Sequence, residues 1–141
     1  MSTTGLKAFD STLQLTHRWL NELSEGLGWA DHARAYHALR VVLHALRDWL
    51  TVEEVAALGA QLPMLVRGFY YEGWSPGGKP ERGRKRDDFL AEVGAAFRDD
   101  RDVDPEQVTR AVFELLARHV TAGEIAGVKH LLPSELRALW P

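Results

Sequence analysis

The chain has 141 residues, of which 45% are hydrophobic and 26% are charged, and its formal net charge is −3. This composition is that of an ordinary globular domain with a core of its own, and the slight excess of acid excludes an overall basic field for binding nucleic acid. The lack of cysteine excludes disulfides and thiolate-bound clusters, and the sequence contains neither a signal peptide nor an apolar run long enough to span a membrane. We therefore expect a cytoplasmic protein, folded as one compact domain over residues 1–141, that does not enter a membrane.

The N-terminal segment has the spacing of an amphipathic helix. Phe9, Leu13 and Leu20 recur on one helical face, which predicts a helix over residues 6–27. The first part, residues 1–16, has no counterpart later in the chain and is interpreted as a helical extension. Extensions of this kind cover an apolar face or dimerise.

The rest of the chain is similar to itself. At a constant offset of 70, residues 17–71 pair with residues 87–141 and share 11 identities in 55 positions. This period predicts two tandem copies of one helical unit of about 70 residues, related by a pseudo-two-fold axis. Segments with alternating apolar and polar residues are missing, so we expect an all-α fold of seven to nine helices.

Each copy contains the pattern T-x-x-E. Thr51 with Glu54, and Thr121 with Glu124, have the spacing of a capping box at a helix start. Polar residues that recur between the copies also admit a second interpretation, a duplicated ligand site. We favour caps and ion pairs between helices, because helix starts account for the carboxylates.

The segment between the copies is basic. Residues 75–86 contain two prolines, three glycines and five cations, which predicts a mobile loop. A basic segment can follow a phosphate backbone, so the candidates for binding an anion or nucleic acid are Lys79, Arg82, Arg84, Lys85 and Arg86. The alternative is a solvated linker.

Aromatic residues and an arginine precede this loop. Aromatic and arginine side chains commonly anchor protein interfaces, so the candidates for binding a partner are Arg67, Tyr70, Tyr71 and Trp74. The alternative is that Phe69 and one tyrosine complete the core of the first copy.

Catalytic and metal-binding patterns are missing from the sequence. His37 and His44 are two helical turns apart, a separation of about 10 Å that is too long for one metal ion. We expect no metal and no cofactor. The leading hypothesis is a non-enzymatic module that acts by protein–protein interaction or self-association, and the alternatives are nucleic-acid or anion binding and an enzyme of unknown class.

The chain resembles a known family over nearly its whole length, the bacterial and archaeal domain-of-unknown-function family 2267. The residues that carry the resemblance are LR at 39–40, LHALRD at 43–48, LT at 50–51, QLP at 61–63, RG at 67–68, YYEGW at 70–74 and LPSEL at 132–136. The resemblance implies a small helical protein and brings no mechanism or site residues with it.

Overall fold

The computed structural model describes residues 2–77 and 85–141. Within these ranges the chain forms helices and no strand. The eight helices are α1 (Lys7–Leu27), α2 (His32–Asp48), α3 (Val52–Gly59), α4 (Met64–Tyr71), α5 (Arg86–Ala95), α6 (Pro105–His119), α7 (Ala122–His130) and α8 (Ser134–Arg137). The predicted all-α fold with seven to nine helices is confirmed.

The longer helices begin and end where the sequence supplies a cap. Asp31 and Asp104 each accept a hydrogen bond from the backbone N–H two residues later, at 2.9 and 3.0 Å, and so start α2 and α6. Gly28 ends α1 with a φ of 69°, in the left-handed region that glycine adopts without steric cost. Before α1, the N–H of Thr4 donates to Asp10 Oδ1 at 3.0 Å and folds the first residues back onto the helix.

The core lies where α2 packs against α6 and where α1 crosses both helices. Helical spacing places the apolar residues of α2 and α6 on one face, and each such side chain contributes roughly 1.5–3 kcal/mol when it is buried. The fully buried residues of these faces are Leu39, Val42, Leu43 and Leu46 of α2 and Val112, Phe113 and Leu116 of α6. No helix within the described ranges is both long and apolar enough to cross a membrane.

Helix starts recur at the offset seen in the sequence. α3 and α7 begin at Val52 and Ala122, and α4 and α8 begin at Met64 and Ser134. Descent of both halves from one unit, and a pseudo-two-fold axis between them, stay predictions. The same holds for the boundaries of the extension at 1–16 and of the two copies.

Candidate interaction surface

An open apolar groove runs between α1 and α4. It consists of one recess of about 400 Å³ and a second of about 560 Å³. Leu13, Leu65 and Gly68 line both recesses, which are therefore continuous. Along α1 the groove extends from Phe9 to Leu20, a length of about 16 Å at the rise of an α-helix.

A hydrogen bond fixes the two walls of the groove to each other. Pro63 precedes α4 and offers no side-chain cap to the free N–H groups of the first turn. Thr12 of α1 supplies the acceptor instead, because its Oγ1 accepts from the N–H of Leu65 at 2.9 Å. The N-terminal part of α1 is thereby docked on α4 rather than free in solvent.

The side chains around the groove are large, apolar and exposed. Phe9 is 47% exposed, Tyr36 39%, Met64 50% and Leu65 41%. Single exposed apolar residues are ordinary on protein surfaces, whereas a contiguous group of them marks an interaction surface. This group is contiguous because its members line or border one groove.

The apolar stripe of α1 is buried at one end and open at the other. Leu20, Leu23 and Leu27 are buried in the core. Phe9 and Leu13 lie on the same helical face, but they contact α4 and solvent. Only the C-terminal half of the stripe is therefore fully buried within this chain.

Two of the residues predicted to bind a partner are structural. Tyr70 is fully buried, its hydroxyl donates to Val55 O at 2.8 Å, and burial raises its pKa. Arg67 donates to Gly59 O at 2.8 Å and to Leu62 O at 2.9 Å, which satisfies carbonyl groups at the end of α3. The prediction of an exposed site at Tyr70 is wrong, because the packing of α4 against α3 encloses that side chain.

The other two predicted partner residues are partly buried. Tyr71 lies over Gly59, where a Cβ atom would be 2.5 Å from the tyrosine hydroxyl oxygen. Its ring is 4.9 Å from that of Tyr70 and 5.8 Å from that of Trp74. The cluster thus covers the core of the first half, as the alternative interpretation held. Binding of a partner by Tyr71 and Trp74 stays a prediction.

The described residues include only part of the basic loop. Three of its five cations lie outside the described residues, namely Lys79, Arg82 and Arg84. Lys85 is exposed, and its backbone N–H donates to Asp88 Oδ2 at 2.7 Å. Arg86 begins α5 and pairs with Glu106. Anion or nucleic-acid binding by this loop stays a prediction.

Sequence reasoning missed a pair of carboxyl groups between α3 and α7. Thr51 and Thr121 cap these helices as predicted, accepting from Glu54 N and Glu124 N at 3.2 and 3.3 Å. Among the described residues neither glutamate completes the capping box, and the N–H of Thr121 donates instead to Gln61 Oε1 at 2.8 Å. The carboxyl groups of Glu54 and Glu124 lie next to each other, and Oε1 of each is buried without a hydrogen-bond partner among the described residues.

The surroundings of Glu54 favour the protonated form of its carboxyl group. Burial, and then the neighbouring carboxyl of Glu124, raise the pKa of Glu54 to about 7. A Cβ on Gly127 would lie 3.0 Å from Glu54 Oε1, so α7 approaches the carboxyl closely. The sequence did hold a signal: Glu54 and Glu124 are 70 residues apart, and a two-fold axis can bring a residue next to its own counterpart.

Comparison with models of protein families gives a match that covers most of the chain. The model of a family described as "Uncharacterized conserved protein (DUF2267)" matches residues 16–139 of the chain. The chain belongs to this family. Residues 1–15 lie outside the DUF2267 match, so Phe9 and Leu13 of the groove are outside it and Leu65 and Gly68 are inside. None of the curated proteins matches the chain.

Some ionisable groups in the described part of this DUF2267 chain join one helix to another. Glu22 of α1 accepts from His119 at 2.6 Å and from Arg118 at 3.1 Å, both of α6. Burial alone would raise the pKa of Glu22, but these two hydrogen bonds outweigh it and lower the pKa. Within the described ranges no three side chains of the types that bind metals are grouped closely enough to hold an ion.

Proposed function

We propose that the chain is a non-enzymatic module of two tandem helical copies that acts by self-association, with the groove between α1 and α4 as the interface between two chains. The observation that carries this proposal is the contiguous exposed apolar surface formed by Phe9, Tyr36, Met64 and Leu65. Removing such a surface from water is favourable by roughly 25 cal/mol per Å². Association therefore has a driving force that the fold of a single chain leaves unused.

A second copy of the chain suits the shape of this surface. Phe9 and Met64 are about half exposed at one end of the groove, and the recess at the other end is lined by Leu20, Tyr36 and Phe69. Across a two-fold axis the exposed side chains at one end of each groove would meet the recess at the other end of its partner's groove, so one patch would serve both partners.

The charge at the recess is compatible with burial in such an interface. Glu72 is the carboxylate that lines the recess, and it is already paired with Arg40. A carboxylate that enters an interface with its own cation costs less than one that is left unpaired. The remaining lining is mostly apolar.

Contacts between the halves support the tandem-copy part of the proposal. Trp49 meets Phe89 with ring centroids 5.3 Å apart, and Trp19 meets His119 at 4.8 Å. At the offset of 70, positions 19 and 89 correspond, as do positions 49 and 119. Trp49 therefore contacts the counterpart of Trp19, and Trp19 contacts the counterpart of Trp49. This reciprocal pairing is expected from a two-fold axis.

Sedimentation velocity over a range of micromolar concentrations tests the interface. We expect the wild-type chain to dimerise and the variants Phe9→Ser and Met64→Ser to be monomers at the same concentrations. Loss of one large apolar contact should weaken association by at least about tenfold. Both side chains are about half exposed in the single chain, so the monomer should keep its helical circular dichroism.

Leu15→Ser is the matched control. Leu15 is 39% exposed, it is also on α1, and it does not line the groove. This variant should dimerise like the wild type. A wild-type chain that stays monomeric, or a dimer that survives Phe9→Ser together with Met64→Ser, would show that two copies do not meet through this groove.

A further inference from the structure

The contact between α3 and α7 contains two acidic side chains without a cation among their described neighbours. Glu54 and Glu124 each lie three residues after a threonine cap, and their carboxyl groups are neighbours where α3 packs against α7. Buried polar atoms of folded proteins almost always have a hydrogen-bond partner. Here Oε1 of each carboxyl lacks one among the described residues.

One proton shared between the two carboxyl groups would give both oxygen atoms a hydrogen-bond partner. A protonated carboxyl has an O–H that donates, and an ionised carboxylate accepts. When two carboxyl groups share a site, ionisation of one opposes ionisation of the other, so a single proton is held by the pair well above the pH at which either group would release it alone.

We propose that Glu54 and Glu124 share one proton, that this proton holds α3 against α7, and that the contact between the two helices therefore loosens as the pH rises through neutrality. This proposal concerns a contact inside one chain. It does not depend on self-association through the α1–α4 groove.

The other groups that face the pair do not replace the proton. Tyr70 of α4 is the further titratable group whose field reaches both glutamates; its hydroxyl is occupied by Val55 O, and burial keeps it neutral. The polar contact nearest in sequence is that of Gln61 Nε2 with Thr121 Oγ1 at 3.0 Å. The cations of α7, Lys129 and His130, are at the opposite end of that helix from Glu124.

The direction of the effect of pH on stability follows from the raised pKa of Glu54. A glutamate in the unfolded chain releases its proton near pH 4.5, whereas burial and Glu124 keep Glu54 protonated in the folded chain up to about pH 7. The folded state thus binds the extra proton between these values, and stability falls as the pH rises through the interval. Below pH 4.5 the stabilising contribution of the pair is complete.

Titration of glutamate side-chain carboxyl carbons by ¹³C NMR tests the shared proton directly in the full-length wild-type chain. We expect the carboxyl signals of Glu54 and Glu124 to move together in two steps, the upper of them near pH 7. If both signals instead titrate in a single step near the ordinary value for glutamate, the proposal is wrong. This measurement needs no variant and is unaffected by one that fails to fold.

Hydrogen exchange tests the consequence for the helices. Exchange rates are first corrected for the intrinsic effect of pH and compared with those of α2. On this scale amides of α3 and α7 should exchange about tenfold faster at pH 8 than at pH 5.5. A tenfold change corresponds to the free energy of a shift of about one pKa unit. In Glu54→Gln an amide group donates at every pH, so this relative increase should disappear. Glu53→Gln, which changes the exposed neighbour on the same helix, should behave like the wild type.

An increase that persists in Glu54→Gln, or one that is absent from the wild type, would overturn the proposal. So would an increase that Glu53→Gln abolishes, because the effect would then come from the general charge of the first turn of α3.

Discussion

The two halves of the chain, residues 17–71 and 87–141, differ in how they satisfy the polar groups at corresponding positions. Arg67 donates to Gly59 O and Leu62 O at 2.8 and 2.9 Å, and also to a third carbonyl at the end of α3. Arg137 lies 70 residues later and, among the described residues, makes one bond, to Leu132 O at 3.3 Å. The same residue type thus closes a helix end in one half and barely touches it in the other.

The aromatic residues that follow show the same difference. The hydroxyl of Tyr70 donates to Val55 O, whereas Nε1 of the corresponding Trp140 is buried with no acceptor among the described residues. Trp140 instead stacks on Phe113, with ring centroids 4.0 Å apart and planes at 9°. Packing against apolar surface takes the place of hydrogen bonding in the second half, so corresponding positions are maintained by different forces.

The largest effect that this comparison predicts is at Trp140. Trp140→Ala removes a buried ring from the stack with Phe113 and leaves a cavity, and it should lower the free energy of unfolding by about 3–5 kcal/mol. Urea unfolding measures the loss. Tyr70→Phe keeps the ring and removes one buried hydrogen bond, so it should cost about 1 kcal/mol. If Trp140→Ala costs no more than Tyr70→Phe, the second half does not rely on packing at this position.

The two arginines should differ by a smaller amount. Arg67→Ala leaves three carbonyl groups without their donor and should cost about 2 kcal/mol, whereas Arg137→Ala should cost at most about 0.5 kcal/mol. Arg67→Lys should restore little, since an ammonium group cannot reach several acceptors in the plane of a guanidinium. Equal losses of unfolding free energy for Arg67→Ala and Arg137→Ala would remove the distinction between the helix ends.

Sequence spacing was sufficient for features that depend on neighbouring residues. Asp31 and Asp104 can be recognised as caps from the sequence, because each cap accepts from an N–H only two residues later. Thr51 and Thr121 accept from the N–H three residues later, which the T-x-x-E pattern indicates. The helices and their order were therefore accessible without the structure.

Features that depend on packing between helices were not accessible in this way. Nothing in the local pattern separates Tyr70, which α3 encloses, from Tyr71, which is only partly buried. Glu54 had a sufficient local explanation as part of a capping box, and only the approach of α7 gives its carboxyl a different partner. The groove could not be predicted from the sequence either. Phe9 and Leu20 belong to one apolar stripe, and only the packing of neighbouring helices leaves Phe9 exposed and buries Leu20.

The smallest predicted effect comes from replacing a residue of the first half by the residue found at the corresponding position of the second. Gly68 lies inside α4, and its counterpart at the offset of 70 is Ala138, the C-cap of α8. An added Cβ at Gly68 would meet no atom within 4 Å. Gly68→Ala should therefore raise the free energy of unfolding by about 0.5–1 kcal/mol, because alanine loses less backbone entropy in a helix. Gly68 also lines the groove, so the measurement belongs in the Phe9→Ser background, where association cannot contribute.

Gly59→Ala supplies the contrast for that measurement. Its Cβ would lie 2.5 Å from the hydroxyl oxygen of Tyr71, so the tyrosine ring must move and the gain in helix propensity should be cancelled or reversed. The second half has Lys129 at this position, which shows that a side chain is tolerated where no tyrosine ring lies over it. Stabilisation of similar size by both substitutions would mean that Tyr71 does not press on α3, and that the two halves differ less at this contact than their side chains indicate.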